Sequence, residues 1–300
     1  MNSVKVATYN VHNLFMQRDI SPDSKARPKS ERSLTALAES IDRLDADVVT
    51  LQEVSSKETI EKDLLTRRGL AEKYPYVALT RGNDKRGIQL AVISKYPFTE
   101  VVTHTDAKFP LVDGSGTGRF SRDLLRVDVD LDPNKPGPEL TVYNTHSKSR
   151  RPTESGPSAD DIRISEAKAV RDIAEKEMSA FPSRLFVVTG DFNDGTENDS
   201  IQAILNPGEG RETWVDSLQH LEKKDRLTWP SNPYAGGKFE PEQFDHIILP
   251  ESKKDQLAWS RPVRYTRSDT GNPDDEGYIK WVSSTASDHL PVVAQLKLKD

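Results

Sequence analysis

Leu185-Phe186-Val187-Val188-Thr189-Gly190-Asp191-Phe192-Asn193 is an apolar run that ends in polar groups. An apolar run of this length reads as a buried strand. Beyond it, Asp191 and Asn193 share one face of an extended chain, because residues i and i+2 do, and Phe192 packs behind them. The same arrangement recurs outward in both directions. Asn10 ends Val6-Ala7-Thr8-Tyr9, Glu53 ends Val48-Val49-Thr50-Leu51-Gln52, and His146 ends Val142-Tyr143-Asn144-Thr145. Asp245-His246 leads into Ile247-Ile248-Leu249, and Asp288-His289 precedes Leu290-Pro291-Val292-Val293. Several strands therefore empty carboxylates, amides and imidazoles into one cleft. Buried carboxylates are costly unless a cation or hydrogen bonds satisfy them. The pattern asks for a hard metal ion and an anionic substrate.

The elements between these clusters set the fold class. Strands are expected near residues 4–10, 47–52, 77–80, 88–94, 124–131, 139–145, 185–189, 244–249 and 292–298. Leu125, Val127, Val129 and Leu131 alternate with Arg126, Asp128 and Asp130, the period of a strand buried on one face. Helices are expected over 30–44, 59–68 and 160–178. Leu34, Leu37, Ala38, Ile41 and Leu44 recur at helical spacing in the first. The third carries Ile162, Ala169, Ile173 and Ala174 on one side and charge on the other. Asn198 or Asp199 is placed to cap a short helix holding Ile201, Ile204 and Leu205. Three loops, 106–121, 150–158 and 230–242, are rich in glycine or proline. Strands that first mix with helices and then recur with alternation indicate an α+β layered domain. Two sheets packed face to face, helices outside, would bury both kinds of strand.

Composition narrows the function. The 300 residues suit one domain spanning 1–300, with no linker-like shift in composition. Forty-two Lys and Arg against 48 Asp and Glu give a net charge of −6, which argues against nonspecific coating of nucleic acid but not against local binding through a metal and a few basic loops. The absence of cysteine excludes disulfides, zinc–thiolate sites and thiol nucleophiles. No apolar stretch reaches membrane-spanning length. The first strand begins almost at Met1, so a cytoplasmic protein is the preferred reading and a secreted one, its signal peptide removed, the alternative. A monomer is expected.

Taken in order, Asn10 in ATYNVHN, Glu53 in LQEV, His146 in YNTHSKS, Asp191 and Asn193 in GDFND, Asp245 in FDHI and Asp288-His289 in SDHLPV resemble the endonuclease/exonuclease/phosphatase superfamily. That superfamily includes pancreatic deoxyribonuclease, class II apurinic endonucleases, sphingomyelinases and inositol polyphosphate phosphatases. The resemblance runs from Val4 to Leu298. It implies an α/β four-layer sandwich, α/β-β/α, with two mixed sheets face to face and the cleft at one edge. It also implies divalent-metal-dependent hydrolysis of phosphate esters. Magnesium suits the oxygen-rich ligand set, with Mn2+ or Ca2+ as substitutes.

Under this resemblance the metal falls to Asn10, Glu53 and Asp288. Asp191 orients or deprotonates the attacking water and Asn193 holds a nonbridging phosphate oxygen. His289, partnered by Asp245, contacts phosphate or acts as base, so either Asp191 or His289 is the base. His146 binds phosphate or protonates the leaving group, as in the deoxyribonuclease and sphingomyelinase branches. Those enzymes place a glutamate ahead of the strand equivalent to 90–93. This chain reads Lys85-Arg86-Gly87-Ile88-Gln89 there, which leaves Gln89 as the substitute partner for His146. Arg122 in FSRDLLRV is a candidate phosphate ligand, its guanidinium fork matching phosphate oxygens. Lys148, Arg150 and Arg151 form a basic loop beside it, while Trp229 and Tyr234 offer a stacking surface. His246 faces away from the cleft on its strand, and His12, His104 and His220 carry no motif.

The leading function is a phosphodiesterase, with DNA or RNA as substrate. A lipid or small-molecule phosphoesterase, sphingomyelinase-like or a sugar-phosphate phosphatase, is the alternative. A noncatalytic binding module on the same fold is the third.

Overall fold

Apolar runs become strands and the 3.6-residue periodicity becomes helices in the computed structural model, which describes residues 2–22, 26–229, 241–263 and 285–298. The elements run β1 (Ser3–Leu14), α1 (Glu31–Leu44), β2 (Val48–Val54), α2 (Leu70–Lys73), β3 (Tyr76–Thr80), β4 (Gln89–Ser94) and β5 (Phe98–Val102). Then follow β6 (Phe109–Pro110), β7 (Thr117–Gly118), β8 (Leu124–Val129), β9 (Leu140–His146), α3 (Ala159–Ala180), β10 (Leu185–Asp191) and α4 (Asp199–Leu205). The chain closes with β11 (Trp214–Asp216), β12 (Asp245–Pro250), β13 (Leu257–Pro262) and β14 (Val292–Lys297). No helix among the described residues is long and apolar enough to cross a membrane.

Two mixed six-stranded sheets result. The first has the order β13-β14-β1-β2-β4-β3 and the second β11-β12-β10-β9-β8-β5; β6 and β7 pair separately. Each large sheet has one parallel pair at its centre, β1 with β2 and β9 with β10, and antiparallel neighbours outside it. Three apolar layers hold the sandwich. The central one lies between the sheets and takes Val6, Val48, Val92, Val127, Val142, Val187 and Ile247. The outer ones pack α1 on the first sheet and α3 with α4 on the second. This is the α/β-β/α sandwich that the sequence implies.

Local chemistry fixes the helix ends. Ser30 is the cap of α1, its Oγ accepting the Ser33 N–H at 3.2 Å. Ser158 does the same for α3 through Asp161 N–H at 3.0 Å. Leu34, Leu37, Ile41 and Leu44 are buried beneath α1, each contributing roughly 2 kcal/mol on burial.

Four local expectations need correction. The helix read over 59–68 is instead a π-helical segment, Thr59–Leu64, closed by Leu65 N–H to Ile60 O at 2.8 Å. Asp19 pins its start through the Thr59 hydroxyl at 2.7 Å, and left-handed Arg68 and Gly69 end the run. The polar face of β8 does not meet water: Arg126 pairs with Glu177 of α3 at 2.8 Å and Asp128 with Arg184 at 2.9 Å. The charged side of α3 likewise turns inward at Arg163, Glu166 and Arg171, each with a polar partner there. Asn198 is the residue before α4 but does not cap it; its Oδ1 accepts Gly195 N–H at 3.0 Å.

Candidate active site

Three strands of the second sheet end side by side. In register, His146 on β9 neighbours Asp191 on β10, and Asp191 neighbours Asp245 on β12. Gly190 permits this approach. Its φ is +145°, and a Cβ there would lie 2.0 Å from the Thr145 carbonyl oxygen.

Asp191 divides its two oxygens. Oδ1 accepts Asn193 N–H at 2.8 Å, closing an Asx turn that holds the next residues. Oδ2 accepts the Asn10 Nδ2 amide at 2.8 Å and faces His146 Nε2 at 3.5 Å and His289 Nε2 at 3.7 Å. His289 Nδ1 in turn meets Asp245 Oδ2 at 2.7 Å. One carboxylate thus sits between two imidazoles, one of which has its own carboxylate behind it.

Burial sets the charge states. It lifts the Asp191 carboxyl to about 6; the His289 cation pulls it down and Asp245 pushes it up. Burial also opposes charge on His289, yet Asp245 and Asp191 together hold that imidazole well above its usual range. For His146 burial dominates, and Arg122, His289 and Arg86 add repulsion, so its pKa falls well below the usual range. Near neutral pH the row reads as neutral His146, ionised Asp191 and cationic His289. Asp191, Asp245 and His289 offer ligand atoms within 4.8 Å of one another, a spacing a metal could use. His289 Nδ1 and Asp245 Oδ2 are already hydrogen-bonded to each other, while Asp245 Oδ1 is buried without a hydrogen bond.

The first sheet supplies the other wall. Asn10 Oδ1 accepts His12 N–H at 2.9 Å, and Glu53 Oε2 accepts Asn13 N–H at 2.9 Å. Glu53, His12 and Asn13 all have positive φ, as does Asn193 across the cleft, so four of the six such non-glycine residues described lie here. Lys29 donates to the Val11 and His12 carbonyls at 2.8 and 3.0 Å. Burial brings its amine down to about 8 against the attraction of Asp288 and Glu53, which places both acids beside it. Asp288 Oδ1 lies 3.5 Å from His12 Nδ1, so His12 joins the site although it carries no motif. Ser287 ties this loop to β1 through Oγ to Asn10 O at 2.6 Å.

Other candidates take supporting places. Arg122 is buried, donating Nη1 to Ser147 O at 2.8 Å with Nε 3.2 Å from Asp84. Asn193 Nδ2 reaches the same Ser147 oxygen at 3.2 Å. Gln89 does not partner His146: its Oε1 takes Gly82 N–H, and His146 Nδ1 is buried without a hydrogen bond. Lys148 turns back onto the Ser149 and Arg151 carbonyls and Arg150 is clamped by Asp194 and Glu242, so of the expected basic loop only Arg150 is neutralised by acids and Arg151 stays exposed. Trp229 stacks on Phe244 at 5.0 Å, while Tyr234 and most of the 230–242 loop lie outside the described residues.

Sequence reading missed the supports behind this front row. Glu166 on α3 accepts Ser121 N–H at 2.6 Å and Lys148 N–H at 2.8 Å, bracketing the segments that carry Arg122 and His146. Asp194 joins α3 to α4 through Arg163 at 2.6 Å and Ser200 at 2.7 Å. His246, buried, spans Asp216 at 2.6 Å and the Asp194 carbonyl at 2.9 Å, fixing the turn after Asp191 from behind. Thr50, Gln52 and Asn144 bond across the sheets, Thr50 to Thr189 at 2.9 Å and Gln52 to Asn144 at 2.7 Å. The inward alternation of Val48, Thr50 and Gln52 carried that signal.

Comparison with curated protein sequences gives no match. Solved structures do match in fold. Truncated TDP2 of Caenorhabditis elegans superposes with a TM-score of 0.60 at 17% identity, covering 98% of each chain. Beta toxin of Staphylococcus aureus gives 0.63 at 21% identity, covering 97% of this chain and 99% of the toxin. D. rerio TDP2, solved with a single-strand DNA product, gives 0.60 at 18% identity with 98% of each chain covered. The family model for the endonuclease/exonuclease/phosphatase family matches residues 7–289. With that match across nearly the whole chain, on the sandwich and ordered strand-end residues described above, the protein belongs to the endonuclease/exonuclease/phosphatase family.

Proposed function

We propose that the protein is a divalent-metal-dependent phosphodiester hydrolase acting on nucleic acid. The observation that carries this reading is the ionised Asp191 held between His146 and His289, with Asp245 behind His289. A phosphodiester resists water because it is already anionic, so a catalyst must aim a nucleophile and neutralise developing charge. Asp191 Oδ2 accepts the proton of a water attacking in line. The His289 cation faces the charge that develops on phosphorus-bound oxygen and, held by Asp245, can release its Nε2 proton to the departing oxygen. Neutral His146 serves as a hydrogen-bonding group rather than a strong acid. Asn193 has a second amide N–H beyond its bond to Ser147 and offers it to a nonbridging oxygen. Arg122, committed to Ser147 and Asp84, shapes this wall.

A metal fits the other wall on the chemistry of its donors. Asp288 Oδ1 is buried without a hydrogen bond, and Glu53 spends one oxygen on Asn13. A buried, unpaired carboxylate oxygen on a half-exposed acid calls for a cation, and hard oxygen donors suit Mg2+, with Mn2+ or Ca2+ as substitutes. Glu53 and Asp288 would hold it, with Asn10 alongside, and its positive charge would offset that of the phosphate. Turnover of bis(p-nitrophenyl) phosphate, single- and double-stranded DNA, and RNA is expected with magnesium and lost with chelator. Failure on all four substrates with Mg2+, Mn2+ and Ca2+ supplied would refute the reading.

A further inference from the structure

Beside the Glu53–Asp288 wall lies a cavity of about 760 Å³ whose lining is unlike the rest of the molecule. His12 and Asn13, Phe15, residues 26–30, Ser33, Arg86, Arg151 and residues 285–286 form it. Acids outnumber bases in the chain, 48 to 42, yet this lining holds Arg27, Lys29, Arg86 and Arg151 and no Asp or Glu. Arg27 and Arg151 are exposed, and neither has a carboxylate partner among the described residues. Lys29 is anchored by two carbonyls and keeps its charge and one N–H. Arg86 shares Asp84 with Arg122, two cations to one acid. The cavity adjoins the reacting groups: Asn13 bonds Glu53, and Thr285-Ala286 lead directly into Ser287, Asp288 and His289.

We infer that this cavity is a subsite for a second phosphate of the substrate, one that is bound but not cleaved. Resting on the phosphodiesterase reading above, it narrows the substrate to a strand carrying several phosphates. Four cations in a lining that holds no acid of its own, two of them exposed without a carboxylate partner among the described residues, attract polyanions and lose that attraction as salt rises. The same lining repels a quaternary ammonium, so it does not suit a choline headgroup. Pro28 is exposed beside the cations, with the largely buried Phe15 ring behind it, and gives an apolar face that a nucleoside flanking a phosphate can use.

Charge reversal at the two exposed arginines, R27E with R151E, tests the subsite. Thermal unfolding first establishes that the variant is folded. Binding of a fluorescein-labelled single-strand decamer is then read by anisotropy in chelator, where no turnover occurs. The variant should bind about 10- to 100-fold more weakly than wild type at low salt, and its log K against log salt should flatten by about one to two. With magnesium, the ratio of kcat/KM for the decamer to that for bis(p-nitrophenyl) phosphate should fall by a similar factor. Unchanged decamer binding and an unchanged ratio would overturn the inference, as would selective loss of binding to phosphatidylglycerol vesicles in place of the decamer. Absence of turnover on either ester would fail the proposed function, while the anisotropy result would still decide the subsite.

Discussion

The two sheets share one pairing pattern yet present polar groups in different ways. In the second, regular strands deliver His146, Asp191 and Asp245 by register alone. In the first, register breaks where the site begins: β1 and β2 slip after Asn10, β2 and β4 after Gln52, and His12, Asn13 and Glu53 adopt left-handed conformations. Regular ladders give a fixed row of acid–base partners. Bulged ends turn carboxylates out of the row toward a shared space, at a cost of roughly 1–3 kcal/mol per strained residue. Under the proposed function, the rigid wall would serve proton chemistry and the strained wall would hold a cation.

That division can be broken by mutation. The largest effect is expected at Asp191, where Asp191→Asn should lower kcat by roughly 10²- to 10⁴-fold while metal affinity by calorimetry changes little. Comparable losses of both would erase the distinction between the walls. The pH profile sharpens it. Because the folded pKa of Asp191 is raised to about 6, its ionised form gathers as pH climbs through that value. His289, raised well above the imidazole range, keeps its proton there. kcat/KM should climb through about pH 6 and then level off. The sign for stability is opposite: the raised carboxyl favours folding below its unfolded pKa, and that contribution is lost as pH rises through 6. Asp191→Asn should remove this slope from denaturant midpoints.

On the strained wall, Glu53→Ala should weaken Mg2+ binding by about 100-fold or more while the His289–Asp245 pair, followed by imidazole NMR, stays intact. Glu166→Gln comes next. One of its two backbone N–H partners would then face an amide NH2, costing about 1–3 kcal/mol, and displacement of the 121 and 148 segments should cut kcat about 10-fold without altering metal affinity. The smallest effect belongs to Thr50→Val, which removes a bond between the sheets behind the site. Stability should drop by about 1 kcal/mol and kcat should not move.

Asp191, Glu53 and His146 were legible because each follows an apolar run, so sequence position alone placed them at strand ends. Two edge strands, β5 and β13, were not: they are mostly exposed and show no apolar face to read, whereas edge strand β3 was expected near 77–80. Glu166, Arg163, Asp194 and His246 were hidden for a different reason. A charged residue on a helix or strand reads as solvent-facing unless its partner is known, and each of these has a partner 18 to 52 residues away. Lys148 and Arg150 failed in the reverse direction, since a basic run near a phosphate site says nothing about carbonyls and acids that claim it first.

The first half of β1, Ser3 to Thr8, pairs with β14, so Ser3 lies opposite Lys297. The first half of the strand bearing Asn10 thus waits for residues made nearly three hundred positions later, and the loop bearing His289 leads directly into them. Every strand of the second sheet has by then been synthesised, since that sheet draws on nothing beyond Pro250. During translation the strands that carry His146, Asp191 and Asp245 emerge before Asp288 and His289, so the row of partners precedes the loop that completes it.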